Sequence, residues 1–288
     1  MAGFKNHILV PIDYSEQSII ALEQSYNLAR LTKADLTLIN VIEESFHLPF
    51  FNKPEDKGLE KKIKKELEKL ASETMKKVNI RVDFIVSRGK VYEEINKAAK
   101  KLKSSFIIMG TNGSIGIKKF IGSNTLRVIR EAPCPVISIK GKKHRFGCRN
   151  IVLPLDLTKE SREKITKSIE IATLFSSTIH LVTILNTDDE FIVKKLQRQM
   201  SQVHDFIKEH KIICTVEFIH NDDVTKSIVD YAKKIKADLL MIMTQEENWT
   251  DLMFISSSAQ LIINSSDIPV LSIRPKEKKT STISVYEY

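Results

Sequence analysis

Three glycines, Gly110, Gly113 and Gly122, punctuate the stretch GTNGSIGIKKFIGSNT, residues 110–125, which ends on Ser123, Asn124 and Thr125. Glycine lets a backbone approach a ligand without a Cβ in the way and adopt positive φ without a clash. Gly122-Ser123 opens a predicted helix, and a helix N-terminus presents unpaired N–H groups with partial positive charge. Loop amides leading into such a terminus, with the Ser123 and Thr125 hydroxyls as further donors, would cradle phosphate oxygens. The same residues also have a structural reading: Gly113 and Gly116 as turn residues, Gly122 as a tight-packing position, Ser123 as a helix cap. From the residues alone, both readings stand.

A second polar position is Asp13, at the end of the apolar run ILVPI. A carboxylate there can accept hydrogen bonds from ribose hydroxyls or an exocyclic amine. It can equally cap the helix that begins after Tyr14, where an N-terminal negative charge is favourable. Lys118 and Lys119 precede Gly122 and either contact a triphosphate or stay solvated. The sequence has no Walker A stretch, no Gly-x-Ser-x-Gly elbow and no His-Glu-x-x-His helix, so hydrolytic and metal chemistry lack their usual residues. Cys134, Cys148 and Cys214 are odd in number and widely spaced, which argues against a disulfide framework. Cys134, His144 and Cys148 fall short of the four ligands that structural zinc takes.

The elements that must position these residues are written twice. NHILVPIDYSEQS at residues 6–18 is matched by RNIVLPLDLTKES at 149–161, pairing Pro11 with Pro154 and Asp13 with Asp156. Leu38 and Val41 answer to Leu181 and Ile184, and CPVISIK to IPVLSIR, with Pro135 against Pro269. Two domains follow, expected at 1–141 and 149–276, joined through GKKHRFGCR and followed by a basic tail at 277–288. In the first copy, strands are expected at 7–12, 35–41, 80–86, 106–110 and 135–139. Helices are expected at 16–31, with Ile19, Leu22, Tyr26 and Ala29 on one stripe, and at 58–78, 91–103 and 123–131. Such alternation with near-continuous apolar strands predicts an α/β fold: two tandem, doubly wound, mainly parallel five-stranded sheets. Ligands of such sheets bind beyond the strand C-terminal ends, where the winding switches, so Asp13 and Gly110 fall at the expected crevice.

Composition narrows the function. The net charge of +9 sits largely in EKKIKKELEKL, KGKKHR and RPKEKK, which read as solvated faces and linkers. No aromatic residues interleave with these lysines, so nucleic acid is not an expected partner. The sequence shows no apolar run of about 18 residues and no signal-peptide pattern, so the expected location is the cytoplasm, away from membranes.

The combination of ILVPIDYSEQS, INVIEE, IIMGTNG and GSNTLRVIREAPCPVISI resembles the universal stress protein family, in two copies covering essentially the whole chain. The resemblance implies a Rossmann-like fold of the adenine nucleotide alpha hydrolase kind. It also implies a cytoplasmic stress-response protein that binds ATP or another adenine nucleotide, with or without magnesium, and hydrolyses it weakly at most. Nucleotide-binding members carry glycine, two residues, glycine, nine residues, then glycine and Ser or Thr. The first copy supplies Gly110, Gly113, Gly122 and Ser123, with eight residues rather than nine between the last two glycines.

On this pattern Pro11, Ile12 and Asp13 would face the adenosine end and the Val41 backbone would read the adenine edge. Met109, Gly110, Asn112, Gly113, Gly122, Ser123, Asn124 and Thr125 would line the phosphate side. In the second copy Met243, Glu246 and Ser256 replace the three glycines, so no nucleotide is expected there. The family's habit of dimerising through its last strand implies an intrachain pseudo-dimer in which residues 135–139 meet 269–273, with a further homodimer conceivable. The competing function is an interaction or dimerisation module that binds no nucleotide. An adenylate-forming or phosphotransfer enzyme would need a Lys, His or metal constellation that the sequence does not offer.

Overall fold

The computed structural model describes residues 7–43, 57–111, 122–141, 147–156, 161–244 and 256–274. The first copy runs β1 (His7–Pro11), α1 (Glu16–Thr32), β2 (Asp35–Glu43), α2 (Lys57–Val78), β3 (Val82–Gly89), α3 (Val91–Leu102), β4 (Phe106–Gly110), α4 (Ser123–Glu131), β5 (Val136–Ile139). The second runs β6 (Asn150–Pro154), α5 (Ser161–Phe175), β7 (Thr178–Leu185), α6 (Glu190–Glu209), β8 (Cys214–His220), α7 (Val224–Lys234), β9 (Leu239–Met243), α8 (Ser257–Ser265), β10 (Val270–Ile273).

Ile8, Leu9 and Val10 of β1 are fully buried, as a run of apolar residues covered on both faces must be. In α1 the buried stripe is Ser18, Leu22, Ser25 and Ala29, while Ile19 and Tyr26 of the expected stripe lie half-buried at its margin. The hydroxyl of Ser15 caps this helix by accepting from Ser18 N at 3.2 Å. Lys33 ends it in the left-handed region, at φ 53°. The strand expected at 80–86 is displaced to Val82–Gly89, because α2 closes on Asn79 at φ 54° and the chain turns before it extends.

The strands form one ten-stranded sheet in the order β3-β2-β1-β4-β5-β10-β9-β6-β7-β8. Each half has the doubly wound order expected, and the two five-stranded halves join edge to edge. At the seam β5 and β10 pair antiparallel, Val270 against Ser138 and Leu271 against Ile137. Pairing equivalent strands antiparallel relates the halves by a local twofold and removes two open sheet edges. Helices α1, α2, α5 and α6 cover one face around Leu22, Leu67, Ile165 and Ile207. Helices α3, α4, α7 and α8 cover the other around Ile95, Val128, Ile228 and Ile262. Among the described residues no helix is long and apolar enough to cross a membrane.

Candidate functional site

In the first half, β1 stays paired with β2 as far as Pro11 against Ile39, whereas its pairing with β4 stops at Leu9 against Ile107. The strands splay at this switch point, and Asp13 follows directly. Asp13 is exposed, and its Oδ1 accepts from Ser15 N at 2.9 Å and from Ser15 Oγ at 2.6 Å. That corrects the capping alternative: Ser15 is the N-cap of α1, and Asp13 is held by that cap. The turn is tight enough to place Tyr14 at φ 62°. Burial pushes the Tyr14 phenol upward, and the nearby Glu66 carboxylate adds to the shift.

Ile12 is locked from both sides. Its N–H donates to Ile39 O at 2.8 Å, and its carbonyl accepts from the buried Asn40 Nδ2 at 2.8 Å. Because main-chain groups alternate sides along a strand, Val41, two residues beyond Ile39, directs its N–H and C=O towards the space past the end of β1. Gly110 ends β4 against the first turn of α1. A Cβ there would lie 2.7 Å from the Gln17 carbonyl carbon and 2.9 Å from Ser18 N, so only glycine permits this approach.

Thr111 bonds from its N–H to Ile139 O at 3.0 Å and receives Gly122 N on its carbonyl at 3.1 Å. The start of α4 is thereby pinned beside the end of β4. Gly122 and Ser123 are exposed and Asn124 is half-buried. Met109 and Thr125 are buried, leaving them their backbones rather than side chains to offer a ligand. Asn112 and Gly113 lie outside the described residues, as do Lys118 and Lys119.

Burial pushes the Cys134 and Cys214 thiols each up to about 12. Among the described residues no group of three or more His, Cys, Asp or Glu could hold a metal.

The universal stress protein family model matches residues 5–140 and again 147–274. The chain belongs to the universal stress protein family. It carries two Usp domains in tandem. A universal stress protein of Methanocaldococcus jannaschii is 31% identical over 144 residues, covering 47% of this chain and 82% of that protein. Universal stress protein A homolog 1 of Coxiella burnetii is 29% identical over 139 residues, covering 46% of this chain and 94% of its own. Such relatives span one Usp domain where this chain has two. The crystal structure of a universal stress protein from Archaeoglobus fulgidus shares the fold along both halves, with a TM-score of 0.76 over 94% of this chain and 99% of that one, at 18% identity.

The two Usp domains close their glycine-position loops identically at the base. Ser256 N donates to Thr244 O at 2.9 Å, and Thr244 N to Ile273 O at 3.0 Å, repeating the bonds of Gly122 and Thr111. The single-residue difference in length therefore falls between these anchors. The helix starts differ in one respect. Ser256, at φ −57° and ψ 148°, caps α8 by accepting from Ala259 N at 3.2 Å. Gly122, at φ −58° and ψ 142°, has no side chain to do so, and α4 has no side-chain cap.

Ser15, Asn40 and Thr111 were not singled out by the residue types at the site, although each fixes part of it. Asn40 had a readable signal: a lone carboxamide inside the apolar run LTLINVI.

Proposed function

We propose that the first Usp domain binds ATP or another adenine nucleotide across the C-terminal end of its sheet, and that the protein acts in the stress response as a nucleotide-dependent regulator rather than as an enzyme. The observation that carries this reading is the bare N-terminus of α4. Gly122 has ordinary backbone angles, and a Cβ on it would meet only Thr111 O, at 3.6 Å. Neither conformation nor packing among the described residues demands glycine there, whereas an incoming phosphate would: Thr125 N already donates to Gly122 O at 3.0 Å, and the N–H groups of Ser123 and Asn124 are those this helix start offers to an external acceptor.

The remaining residues fit. Asp13 is exposed and has Oδ1 held by Ser15, so Oδ2 is the oxygen it would offer a ribose hydroxyl. Val41 turns its main chain towards the adenine side. A magnesium ion would arrive with the triphosphate, since the described side chains build no resident metal site. In the second domain Ser256 caps its own helix start, and in sequence Glu246 takes the position of Gly113, where a carboxylate would repel phosphate.

Calorimetric titration of the full chain with ATP, ADP and AMP tests the reading. One site per chain, weakened by Asp13→Ala, is the expected result. Two equivalent sites would overturn the assignment to the first domain, and no heat with any of the three would leave an interaction module.

A further inference from the structure

Helix α5 carries a buried lysine that has no counterpart in α1. Ser25 Oγ donates to Leu22 O at 2.6 Å in α1, and Ser168 Oγ donates to Ile165 O at 2.8 Å in α5, both serines being fully buried. That match sets Lys164 against Ala21. Ala21 is fully buried and stops at its Cβ, while Lys164 is only 7% exposed and sends its ammonium to Pro154 O at 2.6 Å.

The direction of that carbonyl locates the ammonium. Leu155 N donates to Val182 O, and Leu155 O accepts from Thr183 Oγ1, so the main-chain groups of Leu155 face β7. Pro154, one residue earlier, must then face β9. Pairing of β6 with β9 ends at Val152 against Leu240, while pairing with β7 continues to Pro154 against Val182. The Pro154 carbonyl thus points into the splay between β6 and β9, the counterpart of the crevice beside Pro11. An ammonium is withdrawn from water only where hydrogen bonds replace its hydration, and this carbonyl supplies one.

We propose that Lys164 is the built-in occupant of the second crevice and excludes nucleosides from it. Loss of the phosphate cradle alone would leave this domain able to take an uncharged nucleoside, because it retains Pro154 and Asp156, the counterparts of Pro11 and Asp13. Lys164 removes that remaining capacity. The identity of the excluded ligand rests on the nucleotide reading of the first domain; the occupancy of the crevice does not.

The test is Lys164→Ala in the full chain, titrated separately with adenosine and with ATP. The variant should gain one site over the wild type, equal for adenosine and ATP because no cradle rewards the phosphates. A folded variant with unchanged stoichiometry overturns the proposal. Should the first domain bind nothing, the gain would still read as none to one, which separates the two failures. A second measurement on the wild type covers a variant that does not fold: amine-reactive labelling followed by mass spectrometry. Lys164 should label about tenfold more slowly than Lys194, whose side chain is 74% exposed, the factor that about 1.4 kcal/mol of local opening gives. Equal rates would overturn the closure.

Discussion

Gly122 of the first domain and Ser256 of the second hold the same backbone conformation at the same anchor, yet one leaves a helix start bare and the other closes it. Gly110 and Met243 make a different contrast: at 110 the first turn of α1 lies where a side chain would go. Two glycines of one motif therefore have separate physical reasons. Gly110 is fixed by close approach, whereas at Gly122 the described residues leave room for a side chain, and the proposed phosphate site supplies the reason for having none.

The largest effect should come from Gly110→Ala. The new Cβ would meet backbone atoms of Gln17 and Ser18 under 3 Å, and backbone does not swing aside as a side-chain end can. Overpacking of this kind costs about 1–3 kcal/mol, and more where relaxation is blocked. Denaturant unfolding should show that loss. A melt like the wild type's would mean that α1 shifts freely, and the steric half of the contrast would fall.

Gly122→Ser transplants the second domain's residue into the first. The nearest neighbour of the added Cβ is at 3.6 Å, so stability should change by only a few tenths of a kcal/mol. The hydroxyl would now sit at the helix start, where phosphate is proposed to meet the Ser123 and Asn124 amides. Losing one charge-assisted bond of about 1.5 kcal/mol lowers ATP affinity roughly tenfold, read by calorimetry. Unchanged affinity would show that these amides do not face the ligand. Ser256→Ala, by comparison, should cost about 1 kcal/mol of stability through the lost cap and leave ATP binding untouched.

The fold was legible because its signals are repeated and coarse: the apolar run ILVP, the strand-helix alternation and the doubling of Pro11-x-Asp13 at Pro154-x-Asp156. That residues 135–139 and 269–273 meet is expected from the matching PVISI and PVLSI ends together with the family's habit of dimerising through this strand; the antiparallel sense comes from the structure. The site was legible only in outline. Glycine spacing marks a loop, but it does not distinguish a glycine that packing demands, such as Gly110, from one with room for a side chain, such as Gly122. For Asp13 the residue type leaves a ligand role and a capping role both open, since a carboxylate before a helix can serve either; the hydroxyl two residues on, Ser15, takes the cap. Lys164 was hidden because a lysine in SREKITKSIE reads as surface, and only the carbonyl it reaches reveals otherwise.

The smallest effect concerns a cross-strand pair that the two domains build in opposite senses. In the first, His7 on β1 bonds Thr37 Oγ1 on β2 at 3.0 Å. In the second the histidine has changed strands: His180 on β7 bonds Asn150 Oδ1 on β6 at 3.2 Å, and Thr215 Oγ1 at 2.8 Å. Burial lowers the pKa of both, although Asp35 and Asp83 partly oppose this at His7. A histidine whose folded pKa is depressed binds fewer protons folded than unfolded, so stability falls as pH drops below the unfolded value of about 6.5 and levels off beneath the folded one. Melting temperature should therefore decline between about pH 7 and pH 5, and His7→Gln, which keeps a hydrogen-bonding side chain without the titration, should flatten part of that slope. His180 would sustain the rest, so the double variant should be flatter than either single one. If His7→Gln keeps the full wild-type slope, the acid sensitivity belongs to other groups, and the exchanged histidines are equivalent in geometry but not in titration.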